Sequence, residues 1–363
     1  MSNTIRVMIC DDSAVMRRIL TTVLSEDAEL EIVYAAQHGR DALDNLDQAK
    51  PDVVVLDVEM PVMDGIQTVA AIRRKHRTLP IVMFSSLTSR GAEATFEALS
   101  AGANDFATKP SGVGHLGQAV DIVRKDLLAK IKGLVHARRR LSAVGNSRIT
   151  LSPAVTRPAK SGGPISLVAV GVSTGGPKAL SEILPCLPVD LPVPVLIVQH
   201  MPAVFTGLLA SRLDAICSLS VKEAEDGEMI RPGGVWIARG DWHMEVSRFG
   251  TDTRISLNQN EPENSVRPAV DPLFRSVARV FRDRALGVIL TGMGKDGLDG
   301  CRAMRQQGAS IVAQDQATCA VYGMPRQVIE AGFAESVLPL EQIADEITRR
   351  VRCGSARSLA ASR

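Results

Sequence analysis

The feature that most narrows the possible folds is a series of short aliphatic runs, each delivering a residue that can carry chemistry. Val53-Val54-Val55-Leu56 ends on Asp57, the run 165–172 ends on Ser173, the run 195–199 ends on His200, and 288–291 leads into Asp296. Such runs are mostly continuous rather than alternating. A strand apolar on both faces must be covered on both, which points to a parallel sheet sandwiched between helices. In an open parallel sheet the carboxyl ends of neighbouring strands face a common crevice, so residues remote in sequence can converge there.

Between the runs the apolar spacing becomes helical: Met16, Ile19, Leu20, Val23 and Leu24 recur three and four residues apart. This alternation predicts the α/β class, and 363 residues exceed what one core usually supports, so two doubly wound parallel-sheet domains are expected. Residues 4–122 form the first, with strands at 5–10, 53–56, 81–84 and 105–107. Residues 123–163 read as a helix end and a flexible linker, because 142–164 are rich in Ser, Pro, Gly and basic residues and cannot bury a core. Residues 164–352 form the second domain, with strands at 165–172, 193–198, 235–238, 286–290 and 310–313. The stretch 241–257 alternates and suggests an antiparallel excursion. The small, polar residues 353–363 are expected to be a disordered tail.

Composition excludes several classes. The net charge of +2 gives no pull toward nucleic acid or an anionic membrane, and the run Arg138-Arg139-Arg140 reads as a solvated helix end favoured by the macrodipole. Six singly spaced cysteines, with no C-x-x-C pair and no secretory leader ahead of Cys10, suggest reduced thiols in the cytoplasm. No apolar stretch approaches the roughly 18 residues needed to span a bilayer, so no direct membrane insertion is expected.

In the first domain Asp11 and Asp12 follow the first strand and Asp57 ends the run at 53–56. An adjacent aspartate pair after a strand is ordinarily a turn or helix cap. Three carboxylates at one sheet edge would repel one another unless a cation lay between them, and hard oxygen ligands suit magnesium. Ser85 and Lys109 reach the same rim, where a hydroxyl and an ammonium can bind oxygens of a phosphoryl group. Asp11-Asp12, the segment Leu56-Asp57-Val58-Glu59-Met60-Pro61-Val62-Met63-Asp64-Gly65, Ser85 and Thr108-Lys109-Pro110 resemble the flavodoxin-like receiver domain of two-component response regulators. That resemblance implies Asp57 as phosphoacceptor, Asp11, Asp12 and Asp57 around Mg2+, Ser85 as switch hydroxyl and Lys109 as phosphoryl partner. Phe106 stands where many receivers carry a tyrosine.

In the second domain Gly171-Val172-Ser173-Thr174-Gly175-Gly176-Pro177 reads as a strand, a sharp turn and a helix start, placing Ser173 beside uncovered backbone amides. A glycine-rich phosphate loop would also explain the turn, but the Walker lysine is absent. His200 after its strand and Asp296 in Thr291-Gly292-Met293-Gly294-Lys295-Asp296-Gly297 complete a serine, histidine, aspartate set. Each has a bland alternative, as a structural histidine or a turn former. The α/β-hydrolase chain order would instead recruit Asp214 or Asp226 and then His243, but neither Asp226 nor His243 ends a central strand.

Gly171-Val172-Ser173-Thr174-Gly175-Gly176, Gln199-His200-Met201-Pro202 and Leu290-Thr291-Gly292-Met293-Gly294-Lys295-Asp296-Gly297 resemble the Rossmann-like catalytic domain of chemotaxis protein-glutamate methylesterases, the CheB family. The resemblance implies demethylation of glutamate γ-methyl esters on methyl-accepting chemotaxis receptors, deamidation of particular glutamines, and phosphorylation by the histidine kinase CheA. Ser173 would be the nucleophile, His200 the base and Asp296 its partner, with backbone amides at Thr174 or Met293 as oxyanion candidates and no cofactor in the esterase site. The unmodified receiver is expected to occlude the esterase crevice. The rivals are a receiver with a DNA-binding output, which lacks a short helix-turn-helix module and a basic balance, and a binding protein with a vestigial site.

Overall fold

The aliphatic runs form strands in both halves of the chain, and both principal sheets are parallel. The computed structural model describes residues 4–110, 116–144 and 164–361, in two units, Met1–Ile149 and Thr150–Arg363. The proposed flexible linker falls largely at 145–163, outside the described residues.

In the first unit β1 (Ile5–Cys10), β2 (Leu30–Ala36), β3 (Val53–Asp57), β4 (Ile81–Ser85) and β5 (Asp105–Thr108) form a sheet in the order β2-β1-β3-β4-β5. Strands β3 and β4 are buried along their whole length, as continuous apolar runs require. Helices α1 (Ala14–Ser25), α2 (Gly39–Ala49), α3 (Gly65–Lys75), α4 (Ser89–Ser100) and α5 (Leu116–Val144) connect and follow them. The chain reverses its march across the sheet between β1 and β3, the topological switch at which ligands of such sheets bind. The arginine run on α5 is tied to its own unit: Arg139 bonds the Thr4 carbonyl and the Asp52 carboxylate at 2.8 Å each, and Arg138 reaches the Asp52 carbonyl at 3.3 Å. These contacts give both side chains structural work.

In the second unit β6 (Leu167–Val172), β7 (Val195–Gln199), β8 (Ser220–Glu223), β9 (Gly234–Ile237), β12 (Ala285–Ile289), β13 (Ser310–Gln314) and β14 (Ser336–Leu338) form a parallel sheet ordered β14-β13-β12-β6-β7-β9-β8. Strands β10 (His243–Phe249) and β11 (Asp252–Asn258) make the antiparallel hairpin that the alternation of 241–257 suggested. Helices α6 (Gly176–Ile183), α7 (Ala203–Asp214), α8 (Val270–Phe281), α9 (Leu298–Gln306), α10 (Met324–Glu330) and α11 (Leu340–Ala361) complete it. The core joins the hairpin to α8 and the sheet through Met244, Val246, Ile255, Phe274 and Leu196. Here the march reverses at β6, which lies between β7 and β12. Helix α11 runs to Ala361, through most of the segment whose composition suggested a disordered tail, where alanine, leucine and arginine are good helix formers. All six cysteines are free thiols. Among the described residues no helix is long and apolar enough to cross a membrane.

Candidate active site and phosphoacceptor site

Three adjacent strands, β12, β6 and β7, deliver the predicted esterase residues to one rim. Val172 pairs in register with Gln199, so Ser173 and His200 are each the next residue beyond paired strand ends, and the His200 amide donates to the Val172 carbonyl at 3.2 Å. On the other side the Ser173 amide donates to the Thr291 carbonyl at 3.0 Å. A Cβ added to Gly292 would come within 2.8 Å of the Ser173 Cβ. The loop after β12 therefore passes directly against the serine. After Ser173 the chain turns through Gly175 at φ 77°, a left-handed position suited to glycine, into α6, whose first turn holds Pro177 and whose start has no side-chain cap.

The imidazole and carboxylate are joined: His200 Nε2 lies 2.7 Å from Asp296 Oδ2. This leaves Nδ1 as the ring nitrogen available to the serine. Asp296 is only 2% exposed, and its charge is held by a dense set of donors. Val270 N donates to Oδ2 at 2.6 Å, while Asp271 N, Gly297 N and Asn264 Nδ2 donate to Oδ1 at 3.1, 3.0 and 3.0 Å. Val270 and Asp271 open α8, so the carboxylate occupies the amides that a helix start leaves unpaired. Burial alone would push this carboxyl up. The hydrogen bond and charge of His200, with the amides of Val270 and Asp271, outweigh it and hold Asp296 below the ordinary carboxylate range. An ionised carboxylate against Nε2 fixes the imidazole and stabilises its protonated form. Among the described residues the Ser173 hydroxyl makes no hydrogen bond to the ring, a contact that commonly tightens when substrate enters.

The oxyanion candidates flank the serine. Thr174 is buried and Met293 is 42% exposed. Their loops are fastened by Thr291, whose hydroxyl donates to the Thr174 carbonyl at 2.9 Å and accepts from the Val321 amide at 3.0 Å. Gln199 plays a similar part on the other flank, its Nε2 donating to the carbonyls of Ser173 at 3.0 Å and His200 at 3.1 Å. The alternative set is structural. His243 bonds the Glu261 carbonyl and the Ala269 amide, and Asp214 and Asp226 accept the amides of Val221 and Leu257.

Sequence reasoning missed Gln199, Asn264, Asp271 and Thr291 as supports of the site. Gln199 and Thr291 lie inside the recognised motifs, a positional signal. Asn264 and Asp271 carry none, because their contact with Asp296 depends on how the segment ahead of α8 folds back.

In the first unit Asp11, Asp12 and Asp57 offer carboxylate oxygens all within 4.8 Å of one another, a hard-donor set that fits magnesium. Lys109 Nζ lies 2.8 Å from Asp11 Oδ2 and 2.7 Å from Asp57 Oδ2. Ser85 is fully buried at the end of β4 but turns its hydroxyl to the Gly91 carbonyl at 3.0 Å. Phe106 is buried, with Lys130 Nζ bonded to its carbonyl at 2.6 Å and 5.3 Å from its ring centre.

Comparison with known proteins finds relatives for both units. The family model described as CheB methylesterase matches residues 168–347, and that of the response regulator receiver domain matches residues 7–121. The chain is 45% identical to the protein-glutamate methylesterase/protein-glutamine glutaminase of Trichodesmium erythraeum over 95% of this chain and 99% of that one. It is 47% identical to the corresponding protein of a Nocardioides species over 96% and 95% of the two chains. The crystal structure of the Thermotoga maritima CheB methylesterase catalytic domain superposes with a TM-score of 0.50 at 44% identity, covering 51% of this chain and 98% of that one. On these matches over nearly its whole length, with a receiver and an esterase unit in one chain, the protein belongs to the CheB family of protein-glutamate methylesterases.

Proposed function

We propose that this enzyme hydrolyses glutamate γ-methyl esters on chemoreceptors through Ser173, His200 and Asp296, under control of phosphorylation at Asp57. The observation that carries the esterase assignment is the 2.7 Å pairing of His200 Nε2 with Asp296 Oδ2 beside the serine. Ser173 Oγ attacks the ester carbonyl as its proton passes to His200 Nδ1, and the backbone amides at Thr174 and Met293 are the donors for the oxyanion. The C–O bond to the methoxy group then breaks, His200 returns the proton, and methanol leaves. Water activated by the same imidazole hydrolyses the acyl-enzyme to glutamate and free Ser173. A glutamine amide enters by the same route with ammonia as leaving group, which accounts for the glutaminase named in the relatives.

In the receiver, Mg2+ held by Asp11, Asp12 and Asp57 would supply positive charge against the phosphoryl oxygens. Asp57 accepts the phosphoryl group from a histidine kinase, Lys109 pairs with it, and Ser85 turns from Gly91 toward it. Such a change shifts a conformational population that governs access to the esterase.

The test is methanol release from methyl-labelled receptor membranes, with and without a small-molecule phosphodonor and magnesium. Ser173→Ala is expected to abolish release while the protein stays folded. An active, folded alanine variant removes the nucleophile assignment.

A further inference from the structure

The segment before α8 carries two successive non-glycine residues in the left-handed region, Asn264 at φ 52° and Ser265 at φ 65°. Asparagine visits this region more readily than most residues, yet a consecutive pair is costly and must be held by its surroundings. The holding is visible. Glu263 bridges to Val266 and is gripped by both arms of Arg275, at 2.9 and 2.5 Å.

The strained turn aims one group into the site. Asn264 Nδ2 donates to Asp296 Oδ1 at 3.0 Å and to Asp271 Oδ2 at 2.9 Å. An amide nitrogen has two hydrogens, so both are committed to carboxylates. Asp271 is itself fixed, its Oδ1 accepting the Gly300 amide at 2.7 Å. Its burial, followed by the charge of Asp296, pushes its carboxyl up to about 6, as expected of two carboxylates kept close together.

We propose that Asn264 is a positioning residue for the esterase: wedged between Asp296 and Asp271, its amide holds the Asp296 carboxylate in the orientation that presents Oδ2 to His200 Nε2. The inference rests on the assignment of Asp296 to the esterase set. The three backbone amides anchor the carboxylate, and Asn264 is the side chain among its donors, apart from the imidazole itself. Its donation to Oδ1 screens the like charge of Asp271 and leaves Oδ2 to the ring and the Val270 amide. As His200 takes the serine proton, the carboxylate must neither swing toward Asp271 nor accept that proton.

The test uses the full-length protein, a phosphodonor and methyl-labelled receptor membranes. Asn264→Gly removes the amide while relieving the left-handed backbone, so a merely structural role predicts a lowered unfolding midpoint with the turnover of the folded enzyme unchanged. The positioning role predicts that kcat, measured well below the unfolding transition, falls about 10- to 100-fold, the value of one hydrogen bond to a charged group, with KM unchanged within about twofold. Asn264→Asp keeps the shape but replaces the donor with an acceptor, and is expected to lose at least as much. A glycine variant that keeps full kcat overturns the proposal. Ser173→Ala measured in parallel separates the two levels: if it is inactive while Asn264→Gly is unimpaired, only the Asn264 role fails, and if it is active the esterase assignment itself fails.

Discussion

Lys109 Nζ stands 2.7 Å from Asp57 Oδ2, a contact between a lysine at the end of β5 and an aspartate at the end of β3. Despite that partner, burial, with the charge of Asp11 adding to it, leaves Asp57 raised to about 6. For Lys109 the opposing pull of burial is overcome by Asp57 and Asp11, and the ammonium is held above its ordinary range. The geometry keeps the proposed phosphoacceptor in a place where its charge is expensive.

The consequence is a stability term with a definite sign. A carboxyl raised in the folded state binds its proton more tightly there than in the unfolded chain. Its contribution is therefore complete below the ordinary carboxylate range and is lost as the pH rises through about 6. Asp57→Asn is expected to raise the receiver's thermal midpoint at pH 7 without magnesium, and to lose that advantage below about pH 4. Differential scanning calorimetry across this range checks it; a variant less stable than the parent at pH 7 contradicts the placement.

Thr291→Val tests the fastener between the serine loop and the Met293 loop. The side chains are nearly isosteric, and the site is 1% exposed, so the change strips one hydroxyl from a packed position. The Thr174 carbonyl loses its donor and the Val321 amide its acceptor. We expect a loss of about 1–3 kcal/mol in stability and a lower kcat, because the amides of Thr174 and Met293 are the oxyanion candidates. Urea unfolding and methanol release measure the two effects, and equal turnover would detach Thr291 from the chemistry.

Removal of residues 1–150 should raise basal esterase activity above that of the unphosphorylated full chain. A receiver that withholds access lowers the population of the open enzyme, and phosphorylation restores it. A folded truncate with unchanged or lower turnover argues against restraint by the receiver.

Much of this was legible in the sequence where both sheet faces are buried. The runs that became β1, β3, β4, β6, β7 and β12 are continuous because helices cover both sides, and their ends announced Asp57, Ser173 and His200. The strands left unread are sheet edges: β2 carries the exposed Glu31 and Ala35, β8 has four residues and β14 three. Edge strands need no unbroken apolar run. Ser85 was legible as a residue of the rim but not in its orientation, since a hydroxyl's partner is set by loop geometry that no spacing encodes. Asn264 and Asp271 were invisible for the same reason.

Gln199→Leu addresses the remaining tie, between the two residues proposed to exchange the proton. Gln199 is 2% exposed, and its amide donates to the carbonyls of Ser173 and His200 together, so it sets the spacing of two loop starts rather than touching substrate. Leucine fills a similar volume but leaves two carbonyls without that donor. We expect kcat to fall about tenfold, with a loss of about 1–3 kcal/mol in stability. Gln199→Glu separates spacing from volume: at neutral pH its carboxylate would face two carbonyl oxygens, so it should be more impaired than leucine despite being closer in shape. If the glutamate variant instead matches the parent in turnover, the tie has no role in aligning Ser173 with His200.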